Sequence, residues 1–170
     1  MNRLMPGARV LLVGKSDRGL ADQLSGLGMD AMTVESVDAF DEPNVELVVD
    51  CECTFTNDDT QTQSLWSRTA GLLSRVRANG SLCFVFAQEP TLTVTALHRH
   101  LVPFAEESDK PTGHETDQIQ IHIVKQTLLR RHPAWCLAAL CVPSPAPDAA
   151  TWCRRAGNAA SVIKSQRSAA

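Results

Sequence analysis

The run Ala8 to Gly14, Ala-Arg-Val-Leu-Leu-Val-Gly, constrains this chain more than any other stretch. β-Branched and leucine residues fall on both faces of an extended backbone here, so helices must cover such a strand on two sides. A glycine closes the run and a helical pattern follows. The run predicts the central strand of an open α/β sheet, against which the later elements can be placed.

Leu20, Leu24 and Leu27 recur at helical spacing up to Gly28. Ala31 to Val34 returns as a strand with Glu35 at its end, and Val45 to Val49 is another buried strand, ending at Asp50. Only about ten residues separate these two strands, whereas a full helical crossover takes a dozen or more. The connection is either a single helical turn or a place where a helix and a strand of the doubly wound fold are absent. Asn57-Asp58-Asp59-Thr60 supplies N-caps for a helix with Leu65, Thr69, Leu72, Leu73 and Val76 on one face, ended by Asn79-Gly80. Ser81 to Phe86 reads as the next strand and Leu92 to Ala105 as a helix with Leu97, Leu101 and Phe104 inward. Ile119, Ile121 and Ile123 then alternate with Gln120, His122 and Val124 at the period of a strand.

Arg130-Arg131-His132-Pro133 is a short break, and Trp135 to Val142 is again apolar and strand-length. No crossover helix fits in that gap, so these two strands should form an antiparallel hairpin. A parallel sheet closed by a C-terminal antiparallel hairpin is the pattern of the class I methyltransferase fold. The expected class is therefore a Rossmann-like open α/β sheet of that type, with one strand-helix unit in question, over residues 1–142. Beyond Pro143-Ser-Pro-Ala-Pro147 the chain is Ala, Ser, Arg and Asn with little periodicity. Residues 143–170 read as a linker or disordered tail, mobile after Asp148.

At 170 residues, 44% hydrophobic and 21% charged, the composition is that of one ordinary soluble domain. No window approaches the roughly 18 apolar residues of a membrane span, and the N-terminus carries no signal cleavage pattern. The 6 cysteines, mostly in apolar runs, read as reduced thiols of a cytoplasmic protein. Charge is unevenly placed. Eleven carboxylates, Asp22 to Asp59, lie between Arg18 and Arg68 with no Lys or Arg among them, whereas from Gln118 to Ala170 seven basic residues face only Asp148. The acidic half repels phosphates, which argues against a nucleic-acid surface there and favours a cationic partner or none.

A methyltransferase or dehydrogenase needs a glycine-rich turn after the first strand, so that backbone can approach the cofactor. Here the four residues Lys15 to Arg18 separate Gly14 from Gly19 and match neither glycine pattern. That crowding predicts no measurable binding of S-adenosylmethionine. If the domain is instead a small active methyltransferase, Gly14 and Glu35 are the cofactor-binding candidates, although Glu35 reads more readily as a solvated strand-end acid. The chain has no Tyr, which removes the Tyr-Lys pair of a short-chain dehydrogenase. A pseudo-receiver would use Asp50 as phosphoacceptor, but Gly14-Lys15 stands where its paired acids belong.

Cys51 and Cys53 lack a second pair at metal-binding spacing and read as buried structural thiols. Cys136 and Cys141 fall on opposite faces of a strand. His98 and His100, two apart on a helix, do not share a face and read as surface or loop packing. No catalytic residue and no metal site are expected.

The layout from Val10 to Val142 resembles the N-terminal methyltransferase-like domain of the anamorsin family of cytosolic iron-sulfur cluster assembly factors. The resemblance is carried by the first strand without its glycine motif, the shortened segment before Val45 to Asp50, and the Leu65 to Val76 helix with Asn79-Gly80. It extends through the strand ending near Gln88-Glu89-Pro90 and the Gly113-His114-Glu115 loop. It implies a monomeric, catalytically silent interaction domain in an electron-transfer pathway, a pseudoenzyme. It also implies a diflavin reductase as a candidate partner, no cofactor in this domain, and iron-sulfur clusters held only by a separate cysteine-rich domain. The cluster motifs of that second domain are absent from this sequence. For such contacts Asp38, Asp41, Glu42, Asp58 and Asp59, on strand ends and loops, are the expected surface acids.

Overall fold

A computed structural model describes residues 6–14, 18–40, 44–51, 59–86, 99–104, 119–120, 124–129 and 132–169. The run that opens the chain forms β1, Arg9–Val13. It pairs in parallel with β2, Asp30–Val34, on one side and β3, Val45–Asp50, on the other. β4, Val76–Phe86, adds in parallel to β3, and β7, His132–Cys141, adds antiparallel to β4. β5, Ile119–Gln120, and β6, Val124–Leu129, both pair antiparallel with β7. The seven-stranded sheet thus runs β2-β1-β3-β4-β7-β5, with β6 also on β7.

This order establishes a Rossmann-like fold of the class I methyltransferase type: parallel strands on either side of β1, then one antiparallel strand inserted before the last position. The hairpin expected from the Arg130-Arg131 break is β6-β7, although its first strand lies further along than the isoleucine alternation suggested. Between β2 and β3 the described backbone holds only a 3-10 turn, Val37–Ala39, capped by Ser36, whose hydroxyl accepts the Asp38 N–H at 3.3 Å. The short connection is the single-turn alternative.

Both faces of β1 are covered, as its sequence requires. Val10 and Leu12 pack with Val49 against Leu20 and Leu24 of α1, Arg18–Gly26. Leu11 and Val13 join the larger core under α2, Asp59–Leu73, and α3, Ala149–Ser168. Leu101 and Phe104 are buried as expected, on a helical turn that passes into a 3-10 turn, Val102–Phe104. The rest of the predicted Leu92 to Ala105 helix, with Leu97, lies outside the described residues.

Two expectations are corrected. Asn79-Gly80 does not end α2, which stops at Leu73. It sits inside β4, where Asn79 takes a φ of 63° and the β3 register jumps from Val45↔Val76 to Leu47↔Ser81. A Cβ on Gly80 would lie 2.6 Å from Val76 Cγ1 and 2.8 Å from the Glu46 carbonyl oxygen, so only glycine lets the bulged backbone pass this close. Val76, placed on the helix from sequence, opens the strand.

The second correction concerns the end of the chain, where residues 149–168 form a helix rather than a disordered tail. The Asp148 carboxylate accepts the Thr151 N–H at 2.8 Å and its hydroxyl at 2.6 Å, an N-cap that holds the Asp148 pKa below its usual value. Trp152, Ala156, Ala159 and Ala160 then form a stripe against the core. Alanines supply most of that stripe, so its amphipathic signal in the sequence is faint.

Candidate functional site

In an open sheet of this topology, ligands sit outside the carboxyl ends of the parallel strands. Three such ends converge here. At the end of β1, Gly14 takes a φ of 104°, in the region that favours glycine, and its N–H donates to the Val34 carbonyl at 2.9 Å. Glu35, the next residue after Val34, is exposed. On the other side, the Cys51 N–H donates to the Val13 carbonyl at 2.9 Å, which aligns the end of β3 with that of β1.

Asp50, the last residue of β3, is 0% exposed. Arg68 of α2 holds it in a two-pronged contact, Nε to Oδ2 at 3.1 Å and Nη2 to Oδ1 at 2.9 Å. This is the fork geometry in which a guanidinium matches a carboxylate. Arg68 is the first cation after the long acidic stretch, and a carboxylate ending a buried strand requires a counter-charge. Those two signals were present in the sequence, but the pairing was not anticipated. A receiver-type phosphoacceptor needs an open carboxylate on an all-parallel sheet. The burial of Asp50 and the antiparallel β7 therefore remove the pseudo-receiver reading.

The structure brings Gly14 and Glu35 together at adjacent strand ends. It does not assemble the five surface acids. Asp38 is exposed on the 3-10 turn, Asp59 opens α2, and Asp41, Glu42 and Asp58 lie outside the described residues. Cys51 is partly buried, with its thiol 3.9 Å from the Val49 carbonyl, and Cys53 lies outside the described residues. Among the described residues no cluster of His, Cys, Asp and Glu has the makings of a metal site. No helix among them is long and apolar enough to cross a membrane.

The assignment of His100 to a surface or loop position is corrected, while His98 lies outside the described residues. His100 is 5% exposed and stacks on Trp66 of α2, ring centres 5.8 Å apart and planes 11° apart. Its backbone carbonyl accepts the Trp66 indole N–H at 2.8 Å. Burial lowers the imidazole pKa to about 4, so this ring is neutral at pH 7.

No family model matches the sequence, and no curated protein matches it. Solved structures do resemble the fold. One is the Haemonchus contortus phosphoethanolamine N-methyltransferase 2 in complex with phosphomonomethylethanolamine and S-adenosylhomocysteine. It is 12% identical at a TM-score of 0.49, over 82% of this chain and 35% of that one. A TehB-like S-adenosylmethionine-dependent methyltransferase from Corynebacterium glutamicum is 10% identical at a TM-score of 0.48, over 81% of each chain. The 16S rRNA (adenine(1408)-N(1))-methyltransferase of Catenulisporales acidiphilia, a W203A mutant with S-adenosylmethionine, is 12% identical at 0.48, over 83% of this chain and 87% of that one. The present chain thus spans about a third of the length of the first of these and most of the other two.

The expectation of a pseudoenzyme is withdrawn. The expectation rested on the family resemblance and on crowding by Lys15 to Arg18; no family model supports the resemblance, and residues 15–17 lie outside the described residues.

Proposed function

We propose that this domain is a small S-adenosylmethionine-dependent methyltransferase that takes its nucleoside at the carboxyl ends of β1 and β2. One observation carries the reading: the hydrogen bond from Gly14 N–H to the Val34 carbonyl sets a residue without a side chain beside the exposed carboxylate of Glu35. The two groups fit such a ligand. Gly14 lets a ligand approach the backbone closely, and the Glu35 carboxylate can accept both hydroxyl protons of a ribose. When bound, the cofactor would supply a methyl group activated by a sulfonium. The chain's part is to orient it. Asp50 takes no part in proton transfer, because both of its oxygens are held by Arg68.

Titration calorimetry with S-adenosylmethionine and S-adenosylhomocysteine tests the proposal. Glu35→Gln should weaken both by roughly tenfold, the loss of a charge-assisted hydrogen bond. Absence of any heat at ligand concentrations of about 1 mM, which excludes even weak binding, would sink it.

A second reading is favoured by the lone 3-10 turn between β2 and β3, where a full unit of this fold has a helix and a strand. It is the anamorsin-type role, in which a cytoplasmic domain contacts a diflavin reductase through its acidic half and another domain holds the iron-sulfur clusters. Neutralising Asp38, Asp41, Glu42, Asp58 and Asp59 should then weaken reductase binding, most visibly at low salt. Unchanged affinity would exclude it.

A further inference from the structure

We propose that the outer edge of β2 is a docking site for an extended, cationic segment of a partner protein, which adds to the sheet as a further strand. The inference is independent of the nucleoside reading. Among the described residues β2 pairs only with β1 and ends the sheet order. The backbone direction is set by two bonds: the Asp30 N–H donates to the Ala8 carbonyl at 2.9 Å, and the Val34 carbonyl accepts from Gly14. The N–H and C=O of one strand residue point to the same side, and successive residues alternate. Asp30, Met32 and Val34 therefore bond inward to β1, and Ala31 and Thr33 present their N–H and C=O groups at the free edge.

The side chains around this edge are accessible and apolar enough to bind. Met32 lies on the face where its neighbour Val34 meets the larger core, yet it is 43% exposed, because the connection that follows β2 is a 3-10 turn rather than a covering helix. Leu27, just before the strand, is 67% exposed.

Charge selects the occupant. Asp22, Asp30, Glu35 and Asp38 are all exposed, and no Lys or Arg occurs between residues 19 and 40. A second copy pairing antiparallel about Met32 would bring together two edges that each carry exposed Asp30 and Glu35, with no Lys or Arg between residues 19 and 40 to offset them. A strand with lysine or arginine on the residues that share the face of Glu35 would place its alternate, apolar residues on the face of Met32. Main-chain bonding to Ala31 and Thr33 would supply affinity in the manner of other added strands.

The probe is a fluorescein-labelled peptide of alternating lysine and valine, about eight residues long so as to span the strand. It is titrated by anisotropy into the full chain at low and high salt. Thr33→Pro removes one outward N–H while leaving the bonds to β1, and should weaken binding by roughly tenfold, whereas Thr33→Val should bind as the parent does. In the parent, saturating peptide should slow hydrogen exchange at the Ala31 and Thr33 amides, a measurement that stands even if the proline variant does not fold. Unaltered exchange at those two amides would overturn the proposal. So would a folded Thr33→Pro protein that binds as tightly as the parent. Sedimentation showing a dimer that Thr33→Pro dissolves would reassign the edge to a second copy and overturn the cationic partner.

Discussion

Replacing Trp152 with alanine tests whether the C-terminal helix belongs to the fold. The indole is 1% exposed, its ring centre is 6.4 Å from that of Phe104, and the Arg155 guanidinium lies 5.1 Å over its face. Arg155 in turn donates to the Phe104 carbonyl at 3.1 Å, so the two residues clamp the Val102–Phe104 turn against α3. Truncating a buried aromatic to alanine costs about 3–5 kcal/mol, from lost transfer energy and the cavity left behind. A domain of this kind has about 5–15 kcal/mol in total, so the substitution should remove about a fifth or more of it and lower the melting temperature by roughly 10 °C. Urea unfolding followed by circular dichroism measures the loss without using the deleted fluorophore. Trp152→Phe, which keeps an aromatic ring in the same place, should recover most of the stability. A loss below about 1 kcal/mol for Trp152→Ala, the size of an ordinary surface change, would refute the docking of α3 and return residues after Asp148 to a mobile tail.

Gly80→Ala should destabilise by about 1–3 kcal/mol, since the added Cβ meets the Glu46 carbonyl oxygen at 2.8 Å and backbone cannot yield cheaply. An unchanged urea midpoint would mean that the bulge relaxes. Arg68→Met should cost about 3 kcal/mol by stranding the Asp50 carboxylate, whereas Arg68→Met with Asp50→Leu should cost less than Arg68→Met alone. Equal losses in the single and double variants would show that the ion pair does not hold. His100 binds a proton in the unfolded chain below about pH 6.5 but in the folded chain only below about pH 4. Its contribution to stability is therefore complete above pH 6.5 and is lost as pH falls to 4, by about 3 kcal/mol. His100→Phe should flatten that part of the pH dependence, and identical profiles for the two proteins would contradict the burial of a neutral imidazole.

Elements with a clear apolar pattern and a telling connection length could be read before any coordinates. The double-sided run of β1, the strand ending in Glu35, the strand ending in Asp50 and the hairpin that fixes the topology all follow from apolar patterning and connection length. The misread elements are those where a small residue has more than one use. Asn79-Gly80 is a helix terminator by composition, but the same tolerance of left-handed backbone and close approach serves a bulge, and only the β3 register separates the two. The C-terminal helix carries its cap in Asp148 and its anchor in Trp152, yet its inward stripe is mostly alanine, which adds little to any hydrophobic period.

The strand-end acids show why a site is less legible than the sheet that carries it. Glu35 and Asp50 occupy the same kind of position, the close of a parallel strand beside β1, and nothing in their immediate sequence says which one is available to a ligand. The decision is made 18 residues beyond Asp50, where Arg68 comes off α2 and takes both carboxylate oxygens. A carboxylate so held is a poor acceptor for a further donor and, at 0% exposure, cannot meet one. Glu35 keeps its oxygens in solvent, one residue from the bond that fixes Gly14. On the proposed reading, selection at these ends rests on Glu35, whose carboxylate is suited to accept from the hydroxyl groups of a sugar. A ligand whose sugar hydroxyls are free should bind better than its phosphorylated counterpart.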